Sequence, residues 1–150
     1  MGHRLSLLHF LALVVGGGLL SGSLTVPGGW YAQLTKPSFN PPGWLFAPVW
    51  TVLYILIAIA GWQVYQRDRS VMPMRLWWMQ LGLNFLWTPI FFSAHQIGLA
   101  LLVILALLTV ILGFIASSIR QNRLAAWLFA PYAVWVAFAS LLNASILILN

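Results

Sequence analysis

The feature that leaves this chain the fewest options is an uncharged stretch: from Leu76 to Ile119 there is no Asp, Glu, Lys or Arg. Of its 150 residues 62% are hydrophobic and 5% charged, with a mean hydropathy of +0.95, so too little polar material exists to coat a water-soluble core. The solvent is therefore lipid. One crossing needs roughly 20 apolar residues, so the stretch holds two helices, and Ser93-Ala94-His95-Gln96 is the natural hairpin between them. The same ruler predicts spans over 5–26, 44–66, 76–94, 97–119 and 124–149. The expectation is an all-α integral membrane bundle of five transmembrane helices, a single domain 1–150, with an ordered proline-rich lid loop over 27–43.

The first span has a second reading. A basic start (His3, Arg4), an apolar core and small residues at Ser21-Gly22-Ser23 also describe a secretory signal peptide. A retained helix is favoured because the apolar run continues to Val26 and because Gly18 to Gly22 offers a small-xxx-small packing surface, although such spacings also arise by chance in glycine-rich helices.

Charge placement tests the span count. With alternating sides, Arg4, Arg67, Arg69, Arg75, Arg120 and Arg123 share one face of the membrane and Lys36 alone lies on the other. By the positive-inside rule the N-terminus is cytoplasmic and the C-terminus outside if this is a bacterial plasma membrane. The net charge of +6 invites a nucleic-acid partner, but the cations are scattered singly between apolar runs, so none is expected.

Several chemistries are disfavoured on the same grounds. Without cysteine there is no disulfide or thiolate chemistry. The single carboxylate, Asp68, falls in a polar loop and reads as solvated, which leaves conventional acid–base catalysis without its groups. His3, His9 and His95 have no metal-ligand spacing, so no metal site is predicted, and His95 reads as a turn residue. Gly16-Gly17-Gly18 lies inside an apolar helix and is no phosphate cradle.

What remains is aromatic. "WYAQLTKPSFNPPGWLFAPVWTVLY", Trp30 to Tyr54, contains a segment from Lys36 to Gly43 that cannot be helical, since each proline lacks an amide donor and pushes its predecessor to extended geometry. Interfacial placement suits Trp30, Trp44, Trp62, Trp77 and Trp78, whereas Trp50, Trp87 and Trp135 lie about two turns or more inside their spans. Gln80, Asn84, Trp87, Thr88 and Phe91 share one face of the third span. Trp50 and Tyr54 are one turn apart on the second, and Tyr132, Trp135, Ala139 and Asn143 form a stripe on the fifth. Amides in hydrocarbon must point into the bundle. They make either plain interhelical hydrogen bonds or, with the deep tryptophans, a pocket for a bulky aromatic ligand.

The lid segment, "LGLNFLWTPIFF" and "APYAVWVAFASLLN" together resemble the TspO family, the tryptophan-rich sensory proteins and translocator (peripheral benzodiazepine receptor) proteins. The resemblance implies a five-helix bundle acting as a homodimer, with no required cofactor, that binds protoporphyrin IX or a related tetrapyrrole as ligand or substrate, and sterol-like molecules in some members. Carried over, the ligand-binding residues are Trp30, Tyr31, Pro41, Trp50, Tyr54, Asn84, Trp87, Thr88, Phe91, Trp135, Phe138 and Ala139. Trp50 and Trp135 become catalytic if porphyrin is degraded in light. Phe39 departs from the tryptophan common at its position, and "ASLLNASILILN" lacks the Tyr and following basic residue of the proposed cholesterol motif. Three readings stay open: a sensor or translocator of porphyrin, a light-dependent porphyrin-degrading enzyme, and a membrane scaffold without ligand. A shared pocket requires Trp50 and Trp135 to face one interior.

Overall fold

Lipid exposure forces backbone hydrogen bonds to close within each span, and the long apolar runs become helices. The computed structural model describes residues 2–25, 28–67 and 72–150; Val26 and Pro27, where the first span meets the lid, and Asp68 and Arg69 of the polar loop lie outside them. Helix α1 is His3–Leu24, α2 is Gly29–Gln33, α3 is Phe46–Arg67, α4 is Met72–Thr88, α5 is Ile97–Ser118 and α6 is Arg123–Leu149. Helix α1, α3 with its 3-10 turn Gly43–Leu45, α5 and α6 are long and apolar enough to cross a membrane. Helix α4 has 17 residues and is prolonged by a π turn, Pro89–Ser93. Pro89 cannot donate within the helix, and the wider turn closes through the Ala94 amide onto the Pro89 carbonyl at 2.9 Å.

Among the described residues there are thus six α-helices, one more than the five spans expected. The addition is α2, which occupies the proline-free Gly29–Gln33 segment of the lid, while residues 35–42 form no helix. Helix α4 also begins at Met72, a turn before the expected boundary at residue 76.

Around the bundle the neighbours run α1, α3, α6, α5, α4, with α4 closing against α1 and α3. Cross-links show which ends coincide. At one end, Trp62 and Gln66 of α3 donate to the Ser6 hydroxyl of α1 at 3.0 and 2.9 Å, and Arg67 donates to the Gln121 carbonyl in the α5–α6 turn. At the other end Thr35 of the lid meets Asn150, whose side chain accepts from its amide at 3.0 Å and donates to its carbonyl at 2.9 Å. Arg4, Arg67, Arg75, Arg120 and Arg123 therefore gather at the first end and Lys36 sits at the lid end. Helix α6 starts with Asn122 capping the Ala125 amide at 3.1 Å.

The arginine end is solid. Trp77 has no exposed surface, packs edge-on to Phe10 at 5.1 Å and donates its indole N–H to the Ile57 carbonyl at 2.9 Å. It is a core residue, not the interfacial one that its place near a predicted span edge suggested: with α4 starting at Met72 it lies a full turn inside the helix. Gly61 makes the contact possible, because a Cβ there would collide with the indole. Gly18 likewise admits the Tyr54 ring against α1, whereas Gly22 faces open space, so the small-xxx-small pair divides and only its first member packs inside the bundle. Phe10 and Val14 place α1 in the same core. Replacing Gly61 by Val should displace Trp77 and cost about 1–3 kcal/mol, the usual range for overpacking; a melting temperature in detergent equal to that of the wild type would contradict this packing.

Candidate functional site

Toward the lid end the interior changes character, from a dry packed core to aromatic walls on a polar floor. The floor is a chain of hydrogen bonds across three helices. Tyr54 of α3 lies 3.4 Å from Asn84 Oδ1 of α4, Asn84 Nδ2 donates to the Tyr132 hydroxyl of α6 at 2.7 Å, and that hydroxyl donates to Gln80 Oε1 at 2.8 Å. Gln80, Asn84 and Tyr132 are all buried. The helical spacing that put Gln80 and Asn84 on one face of α4 therefore aims both at the same phenol.

One wall rises from the seam between α3 and α6. Phe46, Trp50 and Tyr54 recur every turn on α3; Tyr132, Trp135 and Phe138 do so on α6. Trp50 lies 5.4 Å from Tyr54 and 6.4 Å from Tyr132, and Trp135 lies 5.9 Å from Phe46 and 5.8 Å from Phe138. Trp50 and Trp135 thus belong to one interhelical seam, each half-buried. Phe39 reaches down from the lid to within 6.3 Å of Phe138.

The other wall belongs to α4 and its π turn. Trp87 stacks on Phe91 at 5.1 Å and donates to Asn143 Oδ1 of α6 at 3.0 Å, while Asn143 Nδ2 donates to the Ile97 carbonyl of α5 at 3.0 Å. Trp30 and Tyr31 on α2 meet this wall: Trp30 is edge-on to Phe91 at 5.8 Å and stacked on His95 at 4.0 Å, and Tyr31 touches Phe92 at 5.4 Å. The lid therefore closes with Trp30 and Tyr31 over the α4 side and Phe39 over the α6 side. Thr88, Pro41 and Ala139 are half-buried, Ala139 against the main core.

Electrostatically the walls are bare of charge. Lys36 sits on the lid, its ammonium 4.6 Å from the Tyr31 ring centroid and donating to the Leu34 carbonyl at 3.2 Å. Partial burial raises the Tyr31 phenol above its ordinary pKa, and the Asn40 side chain opposes the shift. Among the described residues three buried side-chain donors have no partner: the Asn122 amide lies at the arginine end, and two belong to this site, the Trp135 indole N–H and the Gln80 amide. An unpaired buried donor costs about 1–3 kcal/mol, so both mark places where an acceptor would be welcome.

The sequence alone places Tyr132, Gln80 and Asn143 on interior faces without counting them as site residues, reads His95 only as a turn residue and Phe39 only as a departure from a common tryptophan, and does not single out Phe46. Phe46 carried a signal, one turn before Trp50. The role of His95 did not: its φ of 56° fits the expected turn, but its stacking on Trp30 joins residues remote in sequence. Replacing Tyr132 by Phe should strand Gln80 and Asn84 and lower stability by about 0.5–2 kcal/mol. An unchanged detergent melting curve would mean that the three-helix bond chain is not formed.

Comparison with known proteins shows the family. The TspO/MBR family description matches residues 10–149. Protein CrtK of Rhodobacter capsulatus is 34% identical over 154 aligned residues, covering 100% of this chain and 95% of its own length. The tryptophan-rich sensory protein of Cereibacter sphaeroides is 35% identical, with 95% and 90% covered, and the human translocator protein 38% identical, with 76% and 70% covered.

Proposed function

The chain belongs to the TspO/MBR family, and from that premise we propose that this integral membrane protein binds protoporphyrin IX or a related tetrapyrrole between its two aromatic walls and acts as a sensor or translocator of it. The observation that carries the reading is the pairing of Trp50 and Trp135 in one seam, with the Trp135 N–H buried and unpartnered. A macrocycle offers what these walls lack: a broad π face for the indoles and ring or side-chain acceptors for orphan donors. Among the described residues Lys36 is the one Lys or Arg at the lid end and would meet the propionates, on which account the macrocycle enters with its carboxylates toward the lid. The names of the relatives, a sensory protein and a translocator protein, agree with a role as sensor or translocator.

The same reading keeps the arginine end and the N-terminus cytoplasmic in a bacterial plasma membrane, following the charge asymmetry. It has the protein working as a homodimer that needs no cofactor of its own, with sterol-like molecules as further candidate ligands. A second reading, light-dependent degradation of the bound porphyrin, draws on the same seam: two indoles beside one photosensitiser are the side chains its excited state or its oxygen products would reach first.

Titration of the purified protein in detergent with protoporphyrin IX, followed by porphyrin absorbance in darkness and under illumination, separates these. Saturable dark binding is expected, weakened about 3–10-fold by Trp135→Phe through loss of the indole donor and of stacking area. Light-dependent loss of porphyrin abolished by Trp50→Phe and Trp135→Phe would establish the enzyme. Uptake no greater than that of empty micelles would leave a scaffold and overturn the binding site.

A further inference from the structure

Among the described residues, one side chain alone hydrogen-bonds the lid to the spanning helices. Asn150, the C-cap of α6, commits its whole amide: Oδ1 accepts from the Thr35 amide at 3.0 Å, and Nδ2 donates to the Thr35 carbonyl at 2.9 Å and to the Ile146 carbonyl at 2.8 Å. A carboxamide presents donor and acceptor side by side, as the backbone does, so it can pair with both main-chain groups of one residue. The second bond adds little ordering cost, because the first already fixes both partners.

Thr35 divides the lid into two arms of different build. After it, residues 36–42 carry Pro37, Pro41 and Pro42 and run directly into the 3-10 turn that precedes α3, so this arm is stiff and held at both ends. Midway, Phe39 rests on Phe138. Before Thr35 stands α2, none of whose residues is buried. At its start, a Cβ on Gly28 or Gly29 would meet nothing, so these glycines serve no packing and leave the backbone free to turn. Trp30 and Tyr31 reach the bundle through rings alone, on Phe91, Phe92 and His95. The Lys36 ammonium donates to the Leu34 carbonyl at 3.2 Å and to the Ala32 carbonyl at 3.5 Å, which holds the C-terminal end of α2 together as one piece.

We propose that Asn150 is the positioning residue of the lid: it holds Thr35 on α6 as a pivot, and the lid opens by swinging α2 away from Phe91, Phe92 and His95 while the proline arm stays over the α6 wall. A ligand then enters beside the Trp87–Phe91 stack rather than over the seam of Trp50 and Trp135. Opening breaks the ring contacts and the contact of the Asn40 side chain with the Tyr31 phenol, and leaves both Thr35 bonds intact. The pivot is a property of the protein alone; the route rests on the reading that a tetrapyrrole binds beneath the lid.

Residue-resolved hydrogen exchange of the unliganded protein in detergent reads the pivot, and stopped-flow mixing with protoporphyrin IX in darkness reads the route. Asn150→Ala should speed exchange at Thr35 about 2–10-fold through the lost hydrogen bonds, while amides around Tyr132 and the melting temperature stay as in the wild type. Asn150→Asp keeps an acceptor for the Thr35 amide without the donors, and should fall between the two. His95→Asn removes the ring stacked on Trp30 and tolerates the φ of 56° there. It should loosen α2 alone, speeding both uptake and release of porphyrin without changing exchange at Thr35. Unchanged exchange at Thr35 in Asn150→Ala would overturn the pivot. So would faster exchange that spreads to Tyr132 with a lower melting temperature, which would make Asn150 only the cap of α6. Porphyrin rates untouched by His95→Asn would overturn the route along α4. No uptake of porphyrin by the wild type would instead sink the proposed function, and the exchange pattern would still decide the pivot.

Discussion

The Tyr132 hydroxyl donates to Gln80 and accepts from Asn84, which in turn faces Tyr54, and this joint ties α3, α4 and α6 where no water could serve instead. In hydrocarbon a polar side chain is tolerable only when it finds a partner within the protein, so the amides of α4 and the phenol of α6 fix each other's register. The pairing also fixes where the walls stand. Trp87 is one turn above Asn84, and Trp135 and Ala139 follow Tyr132 along α6, so the floor sets the height at which the indoles begin.

Glycine and tryptophan work as a second set of joints. Gly61 lets Trp77 into the main chain of α3, and Gly18 lets Tyr54 lean on α1. Both contacts lie on the face of α3 turned toward α1 and α4, and they leave its Phe46–Trp50 face turned toward α6. One helix can thus be held rigidly on one side while lining a site on the other.

Much of this was legible in the sequence because lipid imposes simple arithmetic. Run length located the long helices, the arginines marked one end, and the helical repeat put Gln80, Asn84 and Trp87 on a common face. The misreadings have equally physical causes. Trp77 read as interfacial because charge ends a span only loosely: Arg75 lies inside α4, so the helix begins before the last cation. Helix α2 hid in a segment too short to show periodicity. Phe39 over Phe138 and Thr35 against Asn150 are tertiary meetings between a loop and α6, and no local pattern encodes which partner a loop residue finds.

The two ends together bear on how a translocator built this way could operate. Below Tyr132 the axis is filled by Phe129 and Phe114, whose rings lie 4.0 Å apart, and by Ile57, Ile111 and Trp77, all without meaningful exposure. A ligand resting on the polar floor would therefore have no open path along the bundle toward the arginine end. Passage through the centre would require breaking the Tyr132 bonds and unpacking a close-packed core, at a cost far above that of moving the lid, which is held by ring contacts and the Thr35–Asn150 pair. Movement of a ligand is thus easier through the lid or sideways past a helix seam than through the bundle, and the fold favours capture and release at one membrane face over conduction across it.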